Sequence, residues 1–284
     1  MYRLQVDFPG CWTGVTLVTG ECPVLVDSGG CAETVDRCIQ PALKEMGLTF
    51  ADIAWLVLTH IHGDHVGGCS RLKALAPSLR VAVYRDSADR LADPLAYSRA
   101  IRSRFPLHSP APPAGLSGVR ADRLLADGDR VGPLRLLHTP GHDTDACCYL
   151  HERTQTLITG DSLQLNGTCS QGCALLLDPG RYRETLDRLM ALQVESIVCG
   201  HPYLPLGAEA LGADAVRRYL AMCLGCHEHD RGFVAGMAAA GVSDTAAIAL
   251  ALIADIGGRR PEHLFLPMHT VEGYLAMTRR SDTA

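Results

Sequence analysis

The stretch Thr59-His60-Ile61-His62-Gly63-Asp64-His65-Val66-Gly67-Gly68 packs three histidines and one aspartate into six residues. Imidazole and carboxylate at that density suit a borderline divalent cation, zinc by default, with iron or manganese accepted by the same ligand set. A cation held there can activate water and polarise an electrophile. Three later stretches repeat the arrangement: His138-Thr139-Pro140-Gly141-His142-Asp143, Ile158-Thr159-Gly160-Asp161 and Ile197-Val198-Cys199-Gly200-His201. A lone histidine is more often structural than a ligand. Four separate loops that each follow an apolar run and carry a ligand-type residue are hard to explain by packing.

The elements that must position these loops read as follows. Residues 15–18 and 24–26 are short β-rich runs, and 33–46 has helical spacing of its apolar positions. Residues 55–59 form an apolar strand that runs straight into the histidine-rich turn. A helix over 67–76 and a strand over 81–84 come next. Residues 85–120 carry Pro106, Pro110, Pro112 and Pro113 and read as an insertion or lid. Strand patterns return at 130–138, 147–150, 156–159 and 196–199, with a helix over 181–192 between the last two. Beyond residue 206 only helices are expected, at 213–230, 233–240, 243–256 and 271–278. The alternation predicts a layered α/β catalytic domain over 1–206, followed by a helical domain over 207–284.

These residues resemble the signature of the metallo-β-lactamase superfamily, HxHxDH followed by a separated His, Asp and His. All of its positions are filled, by His60, His62, Asp64, His65, His142, Asp161 and His201, and Asp27-Ser28-Gly29 is similar to the family's DTG-like turn. The resemblance covers residues 10–206. It implies an αββα sandwich with a metal site at one edge and two divalent ions. By that match His60, His62 and His142 hold the first ion, Asp64, His65 and His201 the second, and Asp161 bridges them. A hydroxide held between the ions would be the nucleophile, with Asp64 and Asp161 as the carboxylates of the catalytic centre. An aspartate at 161, where one group of β-lactamases has cysteine, is similar to the glyoxalase II, lactonase and nuclease branches, so antibiotic hydrolysis is not the expected reaction. The tail resembles the helical or winged-helix-like tails of some members, including β-lactamase-like endoribonucleases.

The implied function is hydrolysis of a small ester, thioester or lactone. A phosphodiesterase or ribonuclease of the same fold is the alternative, and a metal-binding regulatory protein without turnover is a third reading. The net charge of −5 disfavours a broadly basic nucleic-acid binder. Tyr203, Tyr97 and Arg102 are the substrate-side candidates, with Gln164, Asn166, Arg99, Arg104 and His108 near them. There are 12 cysteines, yet the opening MYRLQVDFPG lacks a basic and then apolar leader, so reduced thiols in a cytoplasmic protein are expected. Cys223-Leu224-Gly225-Cys226-His227 spells a haem-attachment pattern inside an expected helix. Cys169 and Cys173 are candidates for redox sensitivity. No apolar run is long enough for a membrane span. The tail leaves a homodimer open.

Overall fold

The computed structural model describes residues 1–8 and 10–281. Its first sheet has the order β1-β2-β3-β4-β5-β6, formed by Tyr2–Phe8, Cys11–Val18, Val24–Val26, Trp55–Val57, Arg80–Tyr84 and Arg123–Leu125. β1, β2 and β3 pair antiparallel; β3 to β6 run parallel. The second sheet has the order β12-β11-β10-β9-β8-β7. Its strands are Arg130–Val131 (β7), Leu134–His138 (β8), Cys147–His151 (β9), Thr156–Gly160 (β10), Ser196–Tyr203 (β11) and Gly207–Leu211 (β12). Here only β10 and β11 pair in parallel.

Side chains alternate along each strand, and that alternation builds the layers. In β4, Trp55 and Val57 face the second sheet, while Leu56 faces the helices outside. In β9, Cys147 and Tyr149 point between the sheets, and Cys148 and Leu150 point to the opposite outer layer. Three apolar clusters result. One lies between the sheets, one beneath helices α1 (Ala32–Thr34), α2 (Gln40–Glu45), α3 (Gly63–Val66) and α4 (Cys69–Leu75), and one beneath the later helices. The molecule is therefore the expected αββα sandwich. The helix expected over 33–46 forms, with a π-helical turn at Val35–Ile39 joining α1 to α2.

The insertion folds as α5 (Ala88–Ala92) and α6 (Pro94–Ser103), with Asp93 capping α6 through the amide of Ala96. α7 spans Pro179–Met190 and is capped by Asp178. β12 lies on the tail side of residue 206 and pairs with β11, so the second sheet runs on to Leu211. The tail helices are α8 (Ala213–Ala239), α9 (Thr245–Asp255) and α10 (Phe265–Ser281), and no strand follows Leu211 among the described residues.

The two helices expected at 213–230 and 233–240 are one. The buried stripe Cys223, His227, Asp230 and Val234 continues in register through Gly232, so packing overrides the glycine's weak helical preference. Cys223 and Cys226 lie within this continuous helix, and every cysteine is free, including Cys169 and Cys173. No helix of the described residues is long and apolar enough to cross a membrane.

Candidate metal centre

All the motif residues converge at one edge of the sandwich, where the strands end. β4 delivers the turn that carries His60 and His62. α3 then carries Asp64 and His65, starting close enough to the β3 end for Ser28 N–H to donate to the His65 carbonyl at 2.8 Å. That proximity explains Gly67: a Cβ there would stand 1.9 Å from the Gly30 carbonyl oxygen. β8, β10 and β11 deliver His142, Asp161 and His201. Gly200 is likewise obligatory, because a Cβ would meet Asp161 Oδ1 at 2.5 Å and His65 Cε1 at 2.9 Å.

The donors form three groups that could each hold an ion, with ligand atoms within 4.8 Å of one another: His60, His62 and His142; His60, His65 and Asp161; Asp64, His65 and His201. In the first group, His142 Nε2 lies 3.3 Å from His60 Nε2 and 3.0 Å from His62 Nδ1. In the third, His201 Nε2 lies 2.9 Å from Asp64 Oδ2. Asp161 spans the groups: Oδ1 is 3.2 Å from His65 Nε2, and Oδ2 is 3.5 Å from His201 Nε2 and 3.7 Å from His142 Nε2.

The outer partners decide which ring nitrogens point inward. His65 Nδ1 donates to Asp27 Oδ2 at 2.8 Å, and His201 Nδ1 donates to the Trp12 carbonyl at 2.7 Å. His60 Nδ1 meets Thr59 Oγ1 at 3.0 Å, and that hydroxyl spends its own hydrogen on Asp27. In its neutral, ligating form an imidazole has one N–H, so with a cation bound the Nε2 of each of these three rings would turn a lone pair inward. His65 Nε2 and Asp161 Oδ1 are buried and have no hydrogen-bond partner. A buried carboxylate oxygen 3.2 Å from a buried imidazole nitrogen, neither with a hydrogen bond of good geometry, calls for positive charge there, a ring proton or a bound cation. The donor set therefore fits a divalent metal site.

The electrostatics agree. Burial pushes His60 well below its ordinary pKa, with its imidazole neighbours adding to the effect, and takes His142 down to about 4. Both are neutral at pH 7, the form that ligates. Burial alone would also lower His65, but Asp161, Asp64 and Asp27 carry it up to about 10. His201 is raised in the same way by Asp161 and Asp64. Against burial, the imidazoles hold Asp64 and Asp161 below the usual carboxylate range. This half of the cluster demands positive charge, from ring protons or from a bound cation.

The substrate-side candidates fall in different places. Tyr203 is fully buried, its ring 5.9 Å from that of His201 and its hydroxyl without a hydrogen-bond partner. It backs the cluster instead of facing an opening. Gln164 is also fully buried: it accepts from Leu175 N–H at 2.6 Å and sets its amide 2.8 Å from His142 Nδ1. Tyr97 stands beside His62, and its hydroxyl donates to Asp143. Arg102 bonds Ser98 within its own helix and lies over the Phe265 ring of the tail, while Arg104 pairs with Glu272. Phe8 of β1 lies 6.0 Å from His201, ring to ring. Sequence reasoning noted Asp27 only as a turn residue, yet it holds Thr59 and His65. Arg90, which binds Asp143 and Asp145, carried no signal in the sequence.

The chain belongs to the metallo-beta-lactamase superfamily, whose family model matches residues 13–201. It is 29% identical over 209 residues to the lactamase-like protein aptB of Emericella nidulans, covering 71% of this chain and 53% of that protein. It is 29% identical over 181 residues to an atrochrysone carboxyl ACP thioesterase of Passalora fulva, covering 62% of this chain and 44% of that one. The chain thus spans about half the length of the curated relatives it matches. In fold it is similar to the crystal structure of a metallo-beta-lactamase family protein from Thermus thermophilus, with TM-score 0.75, 21% identity and coverage of 99% of this chain and 93% of that one.

Proposed function

We propose that the protein is a binuclear metal-dependent hydrolase of small esters, thioesters or lactones, with thioesters the first class to test. The observation that carries this reading is the inward convergence of seven donors around orphaned His65 Nε2 and Asp161 Oδ1. His60, His62 and His142 would hold one ion, Asp64, His65 and His201 the other, with Asp161 between them and zinc the leading metal. Two bound ions supply activated water near neutral pH and polarise the carbonyl that it attacks. The chain's own contribution is to keep His60, His62 and His142 neutral by burial, Asp64 and Asp161 ionised and every ring aimed. The thioesterase name of one relative supports the thioester class.

A phosphodiester substrate is less well supported. Arg102 and Arg104, which would serve it, are committed to Ser98 and Glu272. A cytoplasmic location remains part of the proposal. The test is turnover of metal-loaded protein on ester, thioester, lactone and phosphodiester probes. Thioester or ester hydrolysis that chelation abolishes is expected. Turnover of the phosphodiester alone would overturn the substrate class, and no turnover on any probe would leave a binding protein.

A further inference from the structure

Asp143 directly follows His142, and the chemistry above makes no use of it. It is 1% exposed. Its Oδ1 accepts from Arg90 Nη1 at 2.9 Å and from Thr144 N–H at 2.6 Å. Its Oδ2 accepts the Tyr97 hydroxyl. A carboxylate oxygen takes two donors, and His62 Nε2 stands 3.5 Å from Oδ2. The other nitrogen of His62, Nδ1, is the one that meets His142 Nε2 at 3.0 Å inside the cluster.

The clamp reaches over from the insertion. Arg90 on α5 also binds Asp145 Oδ1 at 3.1 Å, and its guanidinium lies 4.4 Å over the Tyr97 ring. Tyr97 on α6 lies nearly parallel to the His62 ring, with 13° between the planes and 6.1 Å between the centres. Two buried aspartates share one arginine, so the group that faces His62 is formally anionic. A carboxylate behind a ligating imidazole keeps the hydrogen on the outer nitrogen and frees the inner one. His62 differs here from His60, His65 and His201, which turn Nδ1 outward and Nε2 inward.

We propose that Asp143, held from the insertion by Arg90 and Tyr97, is a positioning residue that fixes His62 with Nε2 protonated and Nδ1 turned into the cluster. The inference rests on the metal-centre reading above. It couples the insertion to one of the two ion sites and leaves the other untouched.

The test uses the full chain, stripped by chelation and titrated with cobalt(II), read by its visible absorption and by competition with zinc. His62→Gln identifies which ion depends on His62. Asp143→Ala should weaken that same ion by roughly 10–100-fold, as for other partners behind a ligand. The second ion should keep its affinity. Tyr97→Phe, which removes one hydroxyl, should shift the same site in the same direction by less. Equal weakening of both ions, or an unchanged cobalt spectrum and affinity in Asp143→Ala, overturns the proposal. Should Asp143→Ala fail to fold, Tyr97→Phe decides, and an unaltered first site there is equally fatal. Wild-type protein that binds no cobalt refutes the metal centre itself, and this inference falls with it.

Discussion

Replacing Asp161 with alanine removes the carboxylate that lies between the two groups of imidazoles, within 3.2 to 3.7 Å of His65, His201 and His142. Metal content should fall from two ions per chain toward one, and kcat/KM on the best probe should drop by about two orders of magnitude or more, the scale of several kcal/mol of lost activation. Elemental analysis and kinetics check this together, and near-normal activity would show that Asp161 does not bridge. Asp27→Ala acts one step further out. It strips the acceptor from His65 Nδ1 and from the Thr59 amide and hydroxyl. Ion affinity should fall by roughly 10–100-fold with all motif residues intact, measured by the same titration; undiminished affinity would mean that packing alone holds His65. The motif residues were legible in the sequence because their chemistry requires those residue types at strand ends. The clamp around Asp143 was not, because a buried carboxylate meeting an arginine 53 residues away leaves no local pattern.

At the scale of elements, α8 shows where local punctuation misleads. Gly232 marks a break by propensity, but the buried stripe passes through it, and a stripe with a packing partner outweighs about 1 kcal/mol of glycine cost. That stripe includes Asp230, 1% exposed. Burial pushes its pKa up to about 6, opposed by His229 and helped by Asp255 on α9. The raised folded pKa means that the folded state holds the proton more tightly than the unfolded chain. Stability from this group is therefore largest below about pH 4, the ordinary carboxylate value. It is lost as the pH rises through about 6 and is flat above. Asp230→Asn should flatten that slope and raise the melting temperature at about pH 7.5 more than at about pH 4.5. Thermal unfolding at the two pH values measures it, and an equal shift at both would show that Asp230 ionises freely in the fold. The insertion was legible as an insertion from its prolines. Tyr97 was also legible as a site-side residue, but the partners were not: only the fold brings Tyr97 to His62 and Arg104 to Glu272 on α10.

Taken as a whole, the molecule is three apolar layers, and the layering explains which strands the sequence concealed. β4, β5, β9 and β10 are buried on both faces and read as continuous apolar runs. The edge strands β6 and β12 set exposed residues such as Arg123 and Glu209 beside buried ones, and in the sequence they resemble loops. The concealment of β12 matters for how the tail relates to the rest. A cut at residue 206 separates β12 from β11 and divides one apolar cluster, in which Leu186 and Leu189 of α7 lie with Leu220 of α8, Leu252 of α9 and Tyr274 of α10. α10 further binds the site loop, its Thr270 hydroxyl accepting from Leu176 N–H and donating to the Ala174 carbonyl. Leu175, between those two residues, offers its carbonyl to His142 Nδ1 at 2.9 Å. Each fully buried leucine or tyrosine of the tail contributes on the order of 2 kcal/mol, against a net stability of about 5–15 kcal/mol for a whole domain. A chain of residues 1–206 is therefore expected to aggregate, or to melt far below the full chain and lose ion binding along with its fold. Circular dichroism, size-exclusion chromatography and metal content on that fragment test this. A soluble fragment with the parental melting temperature and two bound ions would make the tail an independent domain and would confine the site's support to the sandwich.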